Sequence, residues 1–489
     1  MMKEKQDMVV MPENKIWAIV CAAAQNTIVQ IFAQVGQFDW REPYRIESQY
    51  ESFGSGFLID DNGYVVTNCH VVEAAHYIWI QIPILGRQKL EVEVVGICPE
   101  RDIAVLKIND EGVRALQEVL GSIPFLVLAD SDKVQSADGV LVLGYPLGQY
   151  HVKSAIGIVS GREHVLTNSL LQVTAPINPG NSGGPVLNAQ GQVIGIAVAV
   201  ADGAQNVGYA VAVNELKIVL DEMRRQKFIR RPYLGIRFVP SRDEKALFLR
   251  NPLPGGLYIA QVFPSTMFAR AGVQSEDMLY MFNGQEVDSY GEIYVPELQS
   301  KISLHEVVYR LPIGHEIPLV IYRKGERKEL TCIVTDESPF AIRKKYPKYE
   351  QVTYDTIAGM VVMELTMNHV DMLKENNSEL IRFYQPEYKG ESALIITNIK
   401  PGSYASQVGC LVLGNIIYQV NGISVKTLHD WKKALEKSLV TGFVALMTDH
   451  NVLTVLSLEK ILADEIMLSK VFEYPLSETV KNLQQYKKI

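Results

Sequence analysis

The segment Gly180-Asn181-Ser182-Gly183-Gly184-Pro185 constrains this chain more than any other stretch, because it places one serine among three glycines. Glycine adopts backbone conformations that other residues avoid, so such a turn can expose the serine hydroxyl and aim backbone N–H groups at a carbonyl oxygen. The pattern predicts a nucleophile with its oxyanion hole. A plain glycine-rich turn between two strands would fit the same letters.

Two upstream motifs favour the catalytic interpretation. The run TNCHVV at 67–72 puts His70 at the end of an apolar strand. The run RDIAVLKI at 101–108 puts Asp102 at the mouth of a strand whose alternate residues are apolar. A histidine, an aspartate and a serine in this order are the components of a hydrolytic triad.

These three motifs together resemble those of the trypsin-like serine proteases of the HtrA/Deg family. The resemblance implies that Ser182 is the nucleophile, that His70 is the general base and then the general acid, and that Asp102 orients the imidazole. It also implies that the N–H groups of Gly180 and Ser182 form the oxyanion hole.

Composition sets the class of protein. A chain of 489 residues is too long for one core, so several domains are expected. The net charge of −8 and the lack of a Lys/Arg block argue against nucleic-acid binding. The five cysteines lie far apart, which predicts neither a metal site nor a dense disulfide framework, and no cofactor is expected. We interpret Cys69 as a small buried residue on the strand before His70.

No run of 18 apolar residues occurs, so no membrane-spanning helix is predicted. The apolar stretch from Ile16 to Ala24 has two interpretations: a signal peptide, or the short helix that commonly precedes the first barrel strand in this family. Acidic residues at 4, 7 and 13 and the direct continuation into an alternating strand favour the helix. The compartment stays open: the sequence alone favours the cytoplasm, whereas the family resemblance implies the periplasm or an organelle.

Many short strands separated by turn signals predict a mainly β fold. After a mobile terminus at 1–15, we expect a chymotrypsin-like double β-barrel at 16–229, with a hairpin turning at Asn62-Gly63 and a closing helix at 214–227. The first barrel would supply His70 and Asp102, and the second would supply Ser182.

The segment before the serine predicts cleavage specificity. Relatives with trypsin-type specificity carry an acidic residue six positions before the serine, where this chain has Pro176, followed by Ile177-Asn178. The strand at 195–199 and the segment at 208–210 are also uncharged. We therefore predict a shallow apolar pocket that accepts Val, Ala or Ile, although about half of these strand residues must face the core in any case.

An internal repeat follows the barrels. Residues 258–284 and 393–422 both read as strand, short helix, strand and an Asn-Gly turn, and both resemble PDZ domains. The predicted organisation is a first PDZ domain at 230–336, a linker at 337–356, a second PDZ domain with a C-terminal extension at 357–477, and a tail at 478–489. Departures from the usual PDZ pattern are similar to those of plant-type Deg proteases and their bacterial relatives.

In PDZ domains of this family, backbone N–H groups of an aromatic-aliphatic-Gly-aliphatic loop bind a peptide's C-terminal carboxylate, and the peptide adds to a sheet edge. The residues Tyr233, Leu234, Gly235 and Ile236 match this loop. The corresponding loop of the second repeat, Ile357 to Met360, lacks the aromatic residue. We expect the first domain to bind peptide C-termini and the second to serve assembly.

The resemblance implies an ATP-independent serine endopeptidase that degrades unfolded or damaged proteins, cleaves after small or aliphatic residues, and forms a homo-oligomer, a trimer or hexamer. The sequence leaves two alternatives open. One is a peptide-binding chaperone or scaffold with a silent protease fold, and the other is an all-β binding protein without activity.

Overall fold

The computed structural model describes residues 13–165, 168–198 and 207–486. The chain forms two compact units. The first comprises Met1–Val35 and Tyr50–Ser338, and the second comprises Gly36–Gln49 and Pro339–Ile489.

Six antiparallel strands close the first barrel. They are β1 Ile28–Gln37, β2 Ser48–Leu58, β3 Tyr64–Thr67, β4 Ala75–Gln81, β5 Leu90–Cys98 and β6 Ile103–Ile108. Three helices accompany them: α1 Glu13–Ala24, α2 Cys69–Val72 and α3 Asp110–Leu120. The strand order around the barrel is β1-β2-β3-β6-β5-β4.

The predicted hairpin joins β2 to β3. Phe57 pairs with Val66, and the Asp60 carboxylate accepts the N–H of Asn62 at 3.0 Å, which stabilises the turn. Gly63 adopts a φ of 84°, a left-handed conformation that favours glycine. The hairpin is therefore confirmed, and it fixes where the chain enters α2.

A second six-stranded barrel follows, in the order β10-β11-β12-β9-β8-β7. Its strands are β7 Gly139–Gly144, β8 Lys153–Val165, β9 Asn168–Val173, β10 Pro185–Leu187, β11 Val193–Val198 and β12 Gly208–Ala212, and helix α4 Val213–Met223 follows them. The predicted mainly β, double-barrel fold is confirmed.

Helix α1 packs onto the barrels. Trp17, Val20 and Ala24 are buried in one hydrophobic cluster with residues of both barrels, including Phe57 and Leu143. The stretch that could be interpreted as a signal peptide is therefore a structural helix of the first unit.

The first PDZ fold completes this unit. Its strands are β13 Ile236–Val239, β14 Leu257–Val262, β15 Met278–Phe282, β16 Gln285–Glu286, β17 Glu292–Val295, β18 Ser300–Ser303, β19 Glu316–Arg323 and β20 Glu326–Ile333. Its helices are α5 Asp243–Phe248, α6 Met267–Arg270 and α7 Leu304–Tyr309. The main sheet runs β13-β14-β15-β19-β20, while β17 and β18 form a separate ribbon before α7.

The second unit contains the second PDZ fold. Its strands are β21 Tyr354–Ile357, β22 Met360–Glu364, β23 Leu394–Ile399, β24 Ile416–Val420, β25 Ile423–Ser424, β26 Phe443–Thr448 and β27 Leu453–Ser457. Its helices are α8 Met367–Leu373, α9 Tyr404–Val408, α10 Leu428–Leu435, α11 Ser438–Thr441, α12 Leu458–Val471 and α13 Glu478–Tyr486. The sheet order is β21-β22-β23-β24-β26-β27.

The C-terminal helices belong to the core of this unit. Ile461 on α12 and both Val480 and Leu483 on α13 are buried in the same cluster as Trp431. Helix α13 thus lies in the stretch that the sequence analysis assigned to a tail, and all of β21 except Ile357 lies in the stretch assigned to the linker. The domain boundaries remain predictions.

The connection between β1 and β2 also packs within the second unit. The Glu42 carboxylate contacts the buried Lys400 ammonium group, and the Trp40 ring meets His369 edge-on with 5.1 Å between ring centroids. Tyr44 lies 5.7 Å from the Tyr474 ring. Residues 36–49 are thus ordered by side chains more than 300 positions away in sequence.

Candidate functional site

Strand pairing brings His70 and Asp102 together. Thr67 at the end of β3 pairs with Ala104 near the start of β6, so α2 and the turn before β6 emerge side by side. Asp102 Oδ1 accepts the backbone N–H of His70 at 3.0 Å, and Asp102 Oδ2 lies 2.9 Å from the ring Nδ1. The side-chain amide of Asn68 donates to the Asp102 carbonyl at 3.0 Å. These contacts hold both residues in a fixed relation.

The carboxylate changes the proton affinity of the imidazole. Burial by itself lowers the pKa of His70, but the hydrogen bond and charge of Asp102, with the charge of Glu73, raise that pKa above its ordinary value of 6.5. With Nδ1–H facing Asp102, Nε2 is the nitrogen that can exchange a proton with a nucleophile.

The turn around Ser182 requires its glycines. Gly180 has a φ of 97°, and a Cβ atom there would lie 2.4 Å from the Tyr145 carbonyl oxygen. At Gly183, with a φ of 85°, a Cβ atom would lie 2.2 Å from the Ser55 carbonyl oxygen. Any side chain at either position would displace the backbone that presents the serine.

Several N–H groups of this turn have carbonyl partners. Asn181 N–H donates to Asn178 O, and Gly183 N–H donates to Ala197 O, both at 2.9 Å. Neither group is therefore available to a substrate in this conformation. The assignment of the oxyanion donors to Gly180 and Ser182 stays a prediction.

Ser55 was not identified from the sequence. Its N–H donates to Ser182 O at 2.8 Å, its hydroxyl donates to Gly180 O at 2.6 Å, and that hydroxyl accepts Tyr145 N–H at 2.9 Å. Ser55 lies on β2 of the first barrel, so these bonds fasten the serine turn to the barrel that carries His70 and Asp102. The only signal in the sequence was a serine between Gly54 and Gly56, which by itself does not indicate a contact with the turn around Ser182.

Cys69 lies in α2, not on a strand as predicted, because β3 ends at Thr67 and the chain turns into a helix. Its side chain is buried, as expected, and burial raises the pKa of the thiol well above its ordinary value. A protonated, enclosed thiol is a poor nucleophile. All five cysteines are free thiols.

The residues predicted to shape the specificity pocket carry no charge where the structure describes them. Pro176 is exposed, Ile177 is half-buried, and a Cβ atom on Gly208 would lie 2.9 Å from the Ile177 side chain. Gly208 therefore keeps space beside Ile177. Ala199, which the prediction included, lies outside the described residues.

The predicted peptide-binding loop of the first PDZ fold leads into β13. Gly235 adopts a φ of 80°, its carbonyl accepts the N–H of Phe263 at 2.9 Å, and Leu234 and Ile236 anchor the loop in the core. Tyr233 packs 6.4 Å from the Phe263 ring. In the described sheet, β13 pairs with β14 on one side and lies at the sheet's end on the other.

The second PDZ fold differs at the equivalent edge. Strand β21 pairs with β22 along its length, from Tyr354↔Met363 to Ile357↔Met360. The loop that would bind a carboxylate is instead the tight turn of this hairpin, with Ala358 and Gly359 at φ values of 55° and 76°. The chain's own β21 thus occupies the edge that a peptide would use.

Side chains from α10 and the C-terminal segment hold β21 in place. Trp431 Nε1–H donates to the Asp355 carboxylate at 2.8 Å, and the Thr479 hydroxyl donates to the same carboxylate at 2.6 Å. Ser477 donates to the Thr356 carbonyl at 2.9 Å. The sequence analysis missed this arrangement because β21 lay in its predicted linker.

Within the described ranges, no group of three or more His, Cys, Asp or Glu residues is arranged to hold a metal ion. In the same ranges, no helix combines the length and apolar character needed to cross a bilayer.

Comparison with known families gives three matches. Residues 54–196 match a trypsin-like peptidase domain, and residues 232–334 and 395–441 each match a PDZ domain. The first match contains His70, Asp102 and Ser182, and the second contains the loop from Tyr233 to Ile236.

Individual relatives agree with these matches. The chain is 32% identical over 325 residues to a probable periplasmic serine endoprotease, DegP-like, of Chlamydia trachomatis, covering 64% of this chain and 61% of that protein. It is 27% identical over 401 residues to the periplasmic serine endoprotease DegP of Escherichia coli K12, covering 80% of this chain and 73% of that protein. A solved structure described as the HtrA-type protease AlgW with decapeptide matches at a TM-score of 0.50 and 26% identity, covering 66% of this chain and 99% of that one.

Proposed function

Because the chain belongs to the HtrA/Deg family of trypsin-like serine proteases with PDZ domains, we propose that it is an ATP-independent endopeptidase that degrades unfolded or damaged proteins. The observation that carries the proposal is the hydrogen-bonded pair His70–Asp102 on the first barrel, fastened through Ser55 to the glycine turn that bears Ser182.

In the proposed reaction, Ser182 Oγ attacks the carbonyl carbon of the scissile bond while His70 Nε2 takes the hydroxyl proton. The N–H groups of Gly180 and Ser182 receive the negative oxygen of the tetrahedral intermediate. His70 then gives its proton to the leaving amine, and the peptide C–N bond breaks. Water, deprotonated by His70, attacks the resulting ester on Ser182; the acyl–Oγ bond breaks, and His70 returns the proton to Ser182 Oγ as the carboxylic acid product leaves.

The test uses unfolded casein without ATP. We expect the wild-type protein to cleave casein and to react with a fluorophosphonate probe, and we expect Ser182→Ala to do neither. Ser136→Ala, a substitution at an exposed serine, is the matched control and should behave as wild type. Equal cleavage by Ser182→Ala would refute the assignment. Prevention of aggregation by a wild-type protein that cleaves nothing would instead support the chaperone alternative.

We further propose that the first PDZ domain binds peptides with a free, apolar C-terminus and that the second does not. The open edge of β13 and the loop at Gly235 support binding at the first domain. At the second, β21 already makes the backbone hydrogen bonds that an added peptide strand would make.

The second unit is proposed to serve assembly into a trimer or hexamer. Ile466, Met467 and Val471 on α12 are exposed apolar side chains, and exposed apolar patches mark interaction surfaces. Mass measurement in solution tests this: Met467→Glu combined with Val471→Glu should reduce the oligomer mass. An unchanged mass would contradict this role for α12.

A further inference from the structure

A row of aromatic rings crosses the outside of the first barrel. Phe53 on β2 meets Phe32 on β1 edge-on, with 5.6 Å between ring centroids, and Phe32 stacks on Trp79 of β4 at 5.4 Å. Ile31 and Ala33 are fully buried, so Phe32 between them faces outward. Trp79 is buried beneath its neighbours, whereas 43% of Phe53 is exposed. Phe53 is therefore the open end of this row, and the three rings Phe53, Phe32 and Trp79 are called the aromatic shelf.

The strand that bears Phe53 runs past the serine turn. Two residues after Phe53, the backbone N–H of Ser55 donates to Ser182 O at 2.8 Å. Gly54 lies between them, and a Cβ atom there would be 2.7 Å from the side chain of Val71 and 3.4 Å from Ser182 O. Val71 directly follows the proposed base in the sequence. The aromatic shelf therefore begins where the first barrel meets both the proposed nucleophile and the helix that carries the base.

The connection between β7 and β8 faces the open end of the shelf. A Cβ atom on Gly148 would lie 3.9 Å from the Phe53 ring. One residue earlier, the Leu147 N–H donates to the Pro179 carbonyl at 2.8 Å, which ties this connection to the serine turn. The side chains of Leu147 and Tyr150 are both exposed. Apolar side chains from both barrels thus border the same side of the serine turn.

The order of bond breaking decides which half of a substrate lies on this side. The half that Ser182 acylates ends in the side chain proposed to enter the pocket at Ile177 and Gly208, in the second barrel. The leaving amine receives its proton from His70, so the residues after the scissile bond must pass on the His70 side of the serine. The aromatic shelf starts on that side.

We propose that the aromatic shelf binds the first two residues after the scissile bond and selects substrates with an aromatic or large aliphatic side chain there. An exposed ring supported by a second ring offers edge-to-face or stacked contact and has little conformational freedom to lose. Cations also flank this surface, because Arg87 lies 4.8 Å from the Tyr150 ring centroid and Lys89 lies 4.5 Å from that of Trp79. Lys or Arg directly after the scissile bond is therefore disfavoured. The inference rests on the proposed protease function.

The experiment uses the full-length protein and three internally quenched peptides. They share one acyl half ending in valine, and after the scissile bond they carry Phe-Ser, Ser-Phe or Ser-Ser. Rates are those of cleavage after the valine, assigned by mass spectrometry. For the wild type we expect kcat/KM of the better phenylalanine peptide to exceed that of the Ser-Ser peptide about tenfold. Phe53→Ala should reduce this ratio to about twofold or less.

Acyl transfer gives a second readout, which a merely structural role of Phe53 would not move. A valine ester acylates Ser182, and an added dipeptide amide then competes with water from the site that the leaving group vacated. The amine nitrogen attacks the ester carbon, and His70 takes its proton and returns it to Ser182 Oγ as the acyl–Oγ bond breaks. In the wild type, the dipeptide amide that matches the better peptide should capture the acyl group about tenfold more efficiently than Ser-Ser amide, and in Phe53→Ala the two should be nearly equal.

Phe125→Ala is the matched control. Phe125 has an exposed fraction of 47%, close to that of Phe53, and the N–H of the next residue, Leu126, donates to Leu58 O at the far end of β2. It should keep the wild-type ratios in both assays.

Equal wild-type rates on the three peptides, an unchanged ratio in Phe53→Ala, or an equal loss in Phe125→Ala would overturn the inference. If circular dichroism shows that Phe53→Ala does not fold, Tyr150→Ala on the facing connection decides by the same criteria. A wild-type protein that neither cleaves casein nor reacts with the fluorophosphonate probe would instead refute the proposed function.

Discussion

The backbone N–H of His70 and its ring Nδ1 both face the carboxylate of Asp102, so a single side chain fixes both the main chain and the ring of the histidine. Because of this double contact, His70 and Asp102 should act together with Ser182 as one catalytic unit. Replacing Ser182, His70 or Asp102 singly with alanine should each reduce kcat by about 10⁴-fold or more, and the triple variant should be little worse than the worst single one. Steady-state rates on one peptide substrate check this, with circular dichroism as the folding control. Losses that multiply across the three sites would show that the residues act independently.

The pH dependence of activity should follow His70. The imidazole must be neutral to accept the serine proton, and its pKa is raised, so kcat/KM should rise with pH through a midpoint above 6.5. The charge of Glu73 helps to raise the pKa of His70, so Glu73→Gln should move the acid limb of the kcat/KM profile to lower pH. Profiles of the two proteins at constant ionic strength test the shift. An acid limb that stays at the same pH or moves to higher pH would show that Glu73 does not raise the pKa of His70.

Cleavage should follow small or aliphatic residues. Ile177, Gly208 and the neighbouring described residues place no charged side chain in the predicted pocket, and burial of an unpaired Lys or Arg costs roughly several kcal/mol. Mass spectrometry of cut sites in unfolded casein should show Val, Ala or Ile before the scissile bond in most cases. Frequent Lys or Arg at that position would reject the apolar pocket.

Peptide binding should depend on the edge of β13. In full-length Ser182→Ala, a labelled peptide with a free C-terminal valine should bind, and its amidated form should bind at least tenfold more weakly, because the loop donors need a carboxylate. Phe238→Glu should abolish binding because the new carboxylate would lie on β13, where Phe238 packs against His305 of α7, beside the bound peptide. Phe248→Glu makes the same substitution at a residue that is 84% exposed, and should leave binding intact. If the Phe238→Glu protein still binds the peptide with wild-type affinity, the peptide binds at another site.

Glu465 should make the second unit less stable at neutral pH than at acidic pH. Its side chain is fully buried, burial raises its pKa from 4.5 to about 7, and it accepts hydrogen bonds from Tyr474 and from the turn at Ala358 and Gly359. An acid whose pKa is raised by folding contributes stability below its unfolded pKa and loses it as the pH rises through the folded value. Wild type should therefore lose stability between pH 4.5 and about 7.

Glu465→Gln removes this dependence. We expect it to be more stable than wild type at pH 8 by about 1–3 kcal/mol, with little difference at pH 4. Thermal unfolding in the Ser182→Ala background measures the difference, and Glu459→Gln at an exposed position on the same helix is the control. A stability difference independent of pH would mean that Glu465 does not titrate in this range.

The candidate catalytic residues could be named from the sequence because the proposed chemistry depends on short motifs: glycines in a tight turn around a serine, a histidine after one strand and an aspartate before another. The fold class followed for similar reasons, from alternating strands and Asn-Gly turns. Contacts between residues far apart in the sequence leave no comparable short motif. Arg101 meets Tyr309 across 208 positions, and nothing in the letters RD at 101–102 distinguishes a buried guanidinium from a solvated one.

Strand β21 escaped prediction for a different reason. Its four residues are too few to show an alternating pattern, and its place in the sheet depends on Trp431 and Thr479, which lie far along the chain. The similarity to plant-type Deg proteases and the boundaries between domains stay predictions.

The contact between Glu42 and Lys400 spans 358 positions of the chain. When residues 36–49 leave the ribosome, Lys400, His369 and Tyr474 have not yet been synthesised. Trp40, Glu42 and Tyr44 therefore lack these distant partners until nearly the whole polypeptide has emerged, and loops closed over such separations form late. A protein cut short near Tyr349 never supplies those partners. It would carry an exposed aromatic loop beside its catalytic barrel, so chaperone demand and aggregation should increase in such a truncation even though its protease motifs are intact.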